Sequence, residues 1–264
     1  MKTLLAMLMV IGALSLDAQE VAFGRRKEDS SGGENIAADF HQTFELNSDN
    51  SAAQLDLSDG VAGANFDTTV DSESKLNCTS TSATKSMTST VNGSTVTTTK
   101  GMAVTMDGAS ASYITFYLPS TQASISMGFW FYTPAQQNFN AFTFCRLFDT
   151  DGTATSILYG DPGADGGGAT NIKFGSNTSL IAVSAGTWYW VTMQMVRNGT
   201  SSLSVYTDDT GATQVGATKT ITSANFDWQY IRWGAVGAYG VATTAYFDNL
   251  LIDWTDATFP LVGQ

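Results

Sequence analysis

From about residue 100 to residue 256 the chain is a succession of short runs rich in Val, Ile, Thr, Phe, Tyr and Trp. They include MAVTMDG, SYITFYLP, ASISMGFWFYTP, AFTFCRLFDT, TSILYGD, NIKFGS, WYWVTMQMVRN, SLSVYTD, YIRWGAV and AYFDNLLIDW. Turn clusters such as PGADGGG, RNGTSS and DDTGA separate them. β-branched and aromatic runs bounded by Gly, Asp and Asn read as strands, and no 3.6-residue periodicity is sustained outside the N-terminal apolar segment. Ten or more short strands joined by turns predict an all-β fold, a two-sheet antiparallel sandwich or jelly roll. The 25 glycines fit a chain with many tight turns.

The first hundred residues divide differently. Lys2 followed by LLAMLMVIGALSL predicts a secretory signal over 1–18, and hence a secreted or cell-surface protein. Residues 19–35 are polar and read as a flexible arm. The domain is expected over 36–264, with DFHQTFEL as its first strand. The Ser/Thr-rich stretch 74–100 carries Asn92-Gly93, a tight-turn signal, and reads as a long exposed hairpin; a flexible stalk is the alternative.

Charge narrows the partners. The formal net charge of −12 argues against nucleic acid, whose phosphates such a chain repels. No segment after the signal is long and apolar enough to insert in a membrane. The two cysteines, Cys78 and Cys145, are compatible with one disulfide in an oxidising compartment; Cys145 reads equally as a small buried hydrophobe.

The order of the strand motifs resembles the laminin-G-like and concanavalin A-like jelly rolls of the lectin-glucanase group. MAVTMDGASASYITFYLP is similar to their opening hairpin, ISMGFWFYTP to a central strand, and GTWYWVTMQMV to the strand opened by Trp. SLSVYTD is similar to the next strand and TAYFDNLLIDW to the closing one, with ADFHQTFEL as its N-terminal neighbour. The resemblance implies the sandwich. It also implies a structural calcium between the N-terminal and closing strands, with Glu45 and Asp248 at the matching positions and Asn249 where a second Asp is usual.

Catalytic signals are sparse. A retaining glycosidase holds two carboxyls about 5–5.5 Å apart. All five glutamates lie at or before residue 73, and Asp248 and Asp253, five apart, face opposite sides of a regular strand. Asp253 and Asp256 are expected to be solvated. The sole histidine, His41, reads as a strand residue, and no arginine-rich strand of the alginate-lyase kind is found. The expectation is therefore no enzyme. The chain reads as a secreted, non-catalytic glycan-binding or adhesion module, with calcium as a candidate structural cofactor and an extracellular polysaccharide or glycoprotein as partner. A structural surface or assembly subunit, in which self-association is possible, is the alternative, and a polysaccharide hydrolase or lyase comes third.

For ligand contacts the segment FDWQYIRWGAVGAYG is favoured. Trp228, Tyr230 and Tyr239 are the candidates for stacking and Arg232 for hydrogen bonding to hydroxyls. DTDGT at 149–153 offers Asp149 and Asp151 as further calcium ligands. It lacks the later ligands of a calcium loop, and the plainer reading is a hairpin turn.

Overall fold

The structure is a computed structural model that describes residues 35–36, 38–42, 65–71, 76–79, 87–91, 94–98, 101–106, 112–133, 142–150, 152, 154–161, 170–175, 180–223, 225, 227–235, 243–255 and 259–263. The described residues form strands and their connections, with no helix. In chain order the strands are β1 (Asn35–Ile36), β2 (Phe40–Gln42), β3 (Asn65–Asp71), β4 (Leu76–Thr79), β5 (Met87–Val91) and β6 (Ser94–Thr98). There follow β7 (Gly101–Met106), β8 (Ser112–Gln122), β9 (Ser124–Tyr132), β10 (Phe142–Asp149), β11 (Ala154–Asp161) and β12 (Thr170–Phe174). The last six are β13 (Leu180–Val183), β14 (Trp188–Val196), β15 (Thr200–Tyr206), β16 (Lys219–Thr222), β17 (Trp228–Ala235) and β18 (Thr243–Asp253).

Two large antiparallel sheets make the sandwich. One has seven strands in the order β13-β12-β11-β10-β17-β8-β3. The other has eight, including β2, in the order β16-β15-β14-β9-β18-β7-β4, with β2 on β18. A small sheet, β1-β5-β6, is separate, and in it β5 and β6 form the expected hairpin, with Val91 opposite Ser94. The jelly-roll sandwich predicted from the strand pattern is the fold.

The main core lies between the two large sheets. Phe116, Leu147, Ile231 and Trp233 enter it from one side, and Met127, Phe129, Val191 and Phe247 from the other. A second apolar cluster lies on the outer face of the eight-stranded sheet. There Ile36, Val91 and Leu261 cover Trp130, Trp190 and Leu251, and the Trp190 indole N–H donates to the Leu261 carbonyl at 2.9 Å. Strand β9 is therefore buried on both faces, which is why residues 127–131, Met-Gly-Phe-Trp-Phe, carry no alternating polar side chain. Gly128 in its middle is obligatory, since a Cβ there would stand 2.6 Å from Trp190 Cζ2.

The closing strand behaves as the resemblance implies, with one difference. β2 pairs with it, Phe40 opposite Ile252 and Gln42 opposite Leu250. Asp39 fixes the junction by accepting the N–H groups of Trp254 and Thr255, both at 2.7 Å. The strand is not regular, however. Against β9, Asp248 faces Trp130 and Leu251 faces Gly128, so the closing strand carries one extra residue, a β-bulge. Asn249 takes it up at φ 47°, a left-handed conformation that Asn tolerates. The bulge flips the alternation, so Phe247, Leu250 and Ile252 enter the core while Asp248, Leu251 and Asp253 face outward.

Candidate functional site

The two outer faces of the sandwich differ in what they carry. That of the eight-stranded sheet is covered over its tryptophans. That of the seven-stranded sheet bears polar and aromatic side chains, several of them half-buried rather than covered. Strand pairing sets its rows. Thr115 of β8 lies opposite Arg232 of β17, which lies opposite Arg146 of β10. The next row is Tyr117, Tyr230 and Phe148 on the same three strands. The neighbours in sequence, Ile114, Phe116, Ile231, Cys145 and Leu147, are fully buried in the main core, as strand alternation requires.

Rings hold the cations. The Arg232 guanidinium carbon sits 4.5 Å from the Tyr113 ring centre, 4.6 Å from that of Phe148 and 5.3 Å from that of Tyr230. The Arg146 guanidinium lies 5.8 Å from the Phe148 centre, so one ring serves both arginines. Phe148 and Tyr230 stack at 4.6 Å, and Tyr117 lies 5.0 Å from Tyr230. Such contacts stabilise a cation without neutralising it.

Tyr230 is the group on this face whose titration is perturbed. Desolvation raises its phenol above the ordinary value, and the nearby Tyr117, Tyr113 and Asp149 add to the effect, while Arg232 opposes it. The phenol, protonated at neutral pH even at its ordinary value, holds its proton more firmly.

The expected site residues separate. Tyr230 and Arg232 are on this face. Trp228 is not a stacking platform: it is fully buried in the main core, because the β17–β8 register shifts between Trp228 and Tyr230 and turns it inward. Tyr239, Glu45 and Asp151 lie outside the described residues. Asp149 ends β10 and is buried. Its carbonyl accepts the Gly152 N–H at 3.1 Å, with Gly152 at φ 76°, the geometry of the plain hairpin turn.

Asp248 is buried as expected for an outward carboxylate under cover, and its Oδ1 accepts the Asn249 N–H at 2.7 Å. Asn249 in turn accepts an N–H from His41 Nε2 at 2.7 Å. Asp248 thus caps the bulge, and among the described residues no group of three His, Cys, Asp or Glu is placed to hold a metal. Asp253 is buried, not solvated. With the bulge it shares a side with Asp248, yet four strand steps of about 3.3 Å keep the two from acting as a pair. Cys145 is a free thiol in the core, so the bond to Cys78 is not formed. The two residues belong to opposite large sheets, and burial raises the Cys145 thiol far above its usual range.

The sequence reading missed Arg146, Tyr113 and Tyr117. It sought several arginines on one strand. The structure instead places one arginine on each of two strands some 85 residues apart, in register.

No family model and no curated protein matches the chain. Solved structures do. An endo-β-1,4-glucuronan lyase from the fungus Trichoderma reesei is similar over 86% of this chain and 98% of its own, with 13% identity and a TM-score of 0.47. An alginate lyase from Alteromonas covers 57% and 86% at 7% identity and a TM-score of 0.41. The catalytic domain of a glycoside hydrolase family 131 protein from Coprinopsis cinerea covers 63% and 73% at 12% and 0.40. These share the concanavalin A-like sandwich architecture with the chain, and the laminin-G-like subtype finds no counterpart in their names. All three bear the names of polysaccharide-cleaving enzymes, which runs against the expectation of a non-catalytic binding or adhesion module and of no enzyme. Which chemistry the chain performs has to be read from its own residues.

Proposed function

We propose that the protein is a secreted polysaccharide-degrading enzyme whose active face is the outer face of the seven-stranded sheet. One observation carries the reading: Tyr113, Tyr117 and Tyr230 stand half-buried around two guanidinium groups on this face, while the other outer face is packed over its tryptophans. Phenols and guanidiniums are the hydrogen-bonding groups a sugar chain needs, and the rings offer its C–H faces a surface.

The chemistry follows from the same groups. Breaking a glycosidic bond requires a proton for the departing oxygen. Tyr230, a phenol protonated at neutral pH and placed beside Arg232, is the donor we assign. The arginines offer fixed positive charge to an anionic group of the bound sugar chain.

The test is incubation of the purified protein with a panel of neutral and acidic polysaccharides. New chain ends are measured by reducing-sugar assay, and unsaturated ends by ultraviolet absorbance. Cleavage of at least one polymer is expected, and Tyr230→Phe should slow it by roughly a hundredfold or more. Failure to cut any polymer, or full activity of Tyr230→Phe, would sink the assignment.

A further inference from the structure

We infer that Arg146 and Arg232 form a receptor for the carboxylate of an acidic sugar, so that the substrate class is a uronic-acid-containing polysaccharide. The inference rests on the reading that the polysaccharide lies on this face.

The first argument is the cost of the pair. Residues directly opposite in an antiparallel sheet have Cα atoms only about 4.5–5.5 Å apart, and like charges there destabilise the sheet. The chain has 24 acidic residues against 12 basic ones, so carboxylate partners are plentiful. Arg197, on the surface, has found one in Asp227 at 2.8 Å. Arg146 and Arg232 have none among the described residues; rings support them instead.

The second argument is the row of unmet polar atoms. Arg146 Nε, Arg232 Nε and Thr115 Oγ1 are all buried and all without a hydrogen-bond partner. They belong to three consecutive positions of one row across β10, β17 and β8. The indole N–H groups of Trp228 and Trp233 in the closed core and Ser126 Oγ beneath the other face are also unpartnered, but they are neutral. An unmet charged group costs more, and two adjacent guanidinium nitrogens with a neutral hydroxyl beside them, in one row of an outer face, point to a ligand that supplies the acceptors. The planar guanidinium fork matches a carboxylate through two parallel N–H···O bonds. One carboxylate placed between the arginines removes their mutual repulsion and meets their donors together. The net charge of −12 does not forbid this, because exposed charges farther away than about 10 Å are largely screened at 0.1 M salt.

The test is calorimetric binding to the full chain carrying Tyr230→Phe, in which turnover is slowed. Four oligosaccharides of equal length are compared: a uronate, its methyl ester, a neutral one and a sulfated one. The uronate is expected to bind about ten- to a hundredfold more tightly than its ester. Arg146→Gln and Arg232→Gln should each abolish that preference without lowering the thermal midpoint, and the Lys variants should keep part of it. Equal binding of acid and ester, a preference that survives both Gln variants, or tighter binding of the sulfated chain overturns the receptor. Arginine-dependent uronate binding in a protein that cleaves nothing supports the receptor and sinks the enzyme. Cleavage of neutral chains with no acid preference does the reverse.

Discussion

The two outer faces of this sandwich both carry large aromatic side chains, and they use them in opposite ways. Over the eight-stranded sheet, Trp130 and Trp190 lie 5.5 Å apart and are sealed beneath Ile36, Val91 and Leu261. Over the seven-stranded sheet, Tyr113, Tyr117 and Tyr230 stay half-buried; Tyr113 and Tyr230 hold the Arg232 guanidinium against their rings, and Phe148 holds those of Arg232 and Arg146. Aromatic content alone does not tell a packing surface from a binding surface. What tells them apart is whether the chain itself covers the rings and what charge lies among them. The Trp190 indole donates to the Leu261 carbonyl beneath an apolar cover, whereas the rings of the seven-stranded sheet hold two guanidiniums with no carboxylate partner among the described residues. One face is closed by the protein itself, and the other carries charge among half-buried rings.

If that contrast is right, substitutions on the covered face act on stability. Trp190→Ala removes a fully buried indole, its contact with Trp130 and its bond to Leu261. It should cost about 3–5 kcal/mol, read as a lower urea midpoint at constant slope. A loss below about 1 kcal/mol would mean that the cover is loose and that the faces are not so different. Asp248→Ala should come next. It leaves the Asn249 N–H of the bulge without its carboxylate, and a buried unmet donor costs about 1–3 kcal/mol. The same variant weakens the packing of Leu251, whose outward position depends on the bulge.

Much of this fold was legible in the chain. The sandwich and the pairing of the N-terminal strand with the closing one follow from strand composition and motif order, whereas of the long hairpin expected over 74–100 only β5 and β6 pair as one, and β4 joins the eight-stranded sheet beside β7. Two bulges were not legible. Nothing in FDNLLID marks Asn249 as an extra residue, and nothing in FDWQYIR marks the shift that buries Trp228 and exposes Tyr230. Strand alternation is exact only in register, so a single extra residue reassigns every side chain beyond it. The arginine pair escaped for a related reason. Arg146 in FCRLFD and Arg232 in YIRWG each look like an isolated charge, and only the β10–β17 register makes them neighbours.

On the open face the stability effects should be small and of the other sign. Arg146→Gln or Arg232→Gln removes one member of a like-charge pair that has no carboxylate partner among the described residues. The folded state should then change by no more than about 0.5 kcal/mol, toward greater stability. Urea denaturation checks it. A loss of 2 kcal/mol or more, the roughly expected size for a broken buried ion pair, would show that each arginine is structural.

The smallest effect separates the faces by pH. Tyr230 on the open face and Tyr246 on the eight-stranded sheet both have phenols raised above the ordinary value, each chiefly by desolvation; Tyr132 adds to the rise at Tyr246, and Arg232 opposes it at Tyr230. A group whose folded pKa exceeds its unfolded value contributes stability that is fully present below the unfolded pKa. That contribution is lost as pH rises through the folded one. Both tyrosines should therefore weaken the fold only above about pH 10, with no effect near neutrality. Tyr230→Phe and Tyr246→Phe should each flatten the alkaline fall of the urea midpoint. Arg232→Gln should steepen the Tyr230 part, because the cation that eases ionisation is gone, and leave the Tyr246 part unchanged. An equal change at both tyrosines would mean that Arg232 does not act on the open face alone.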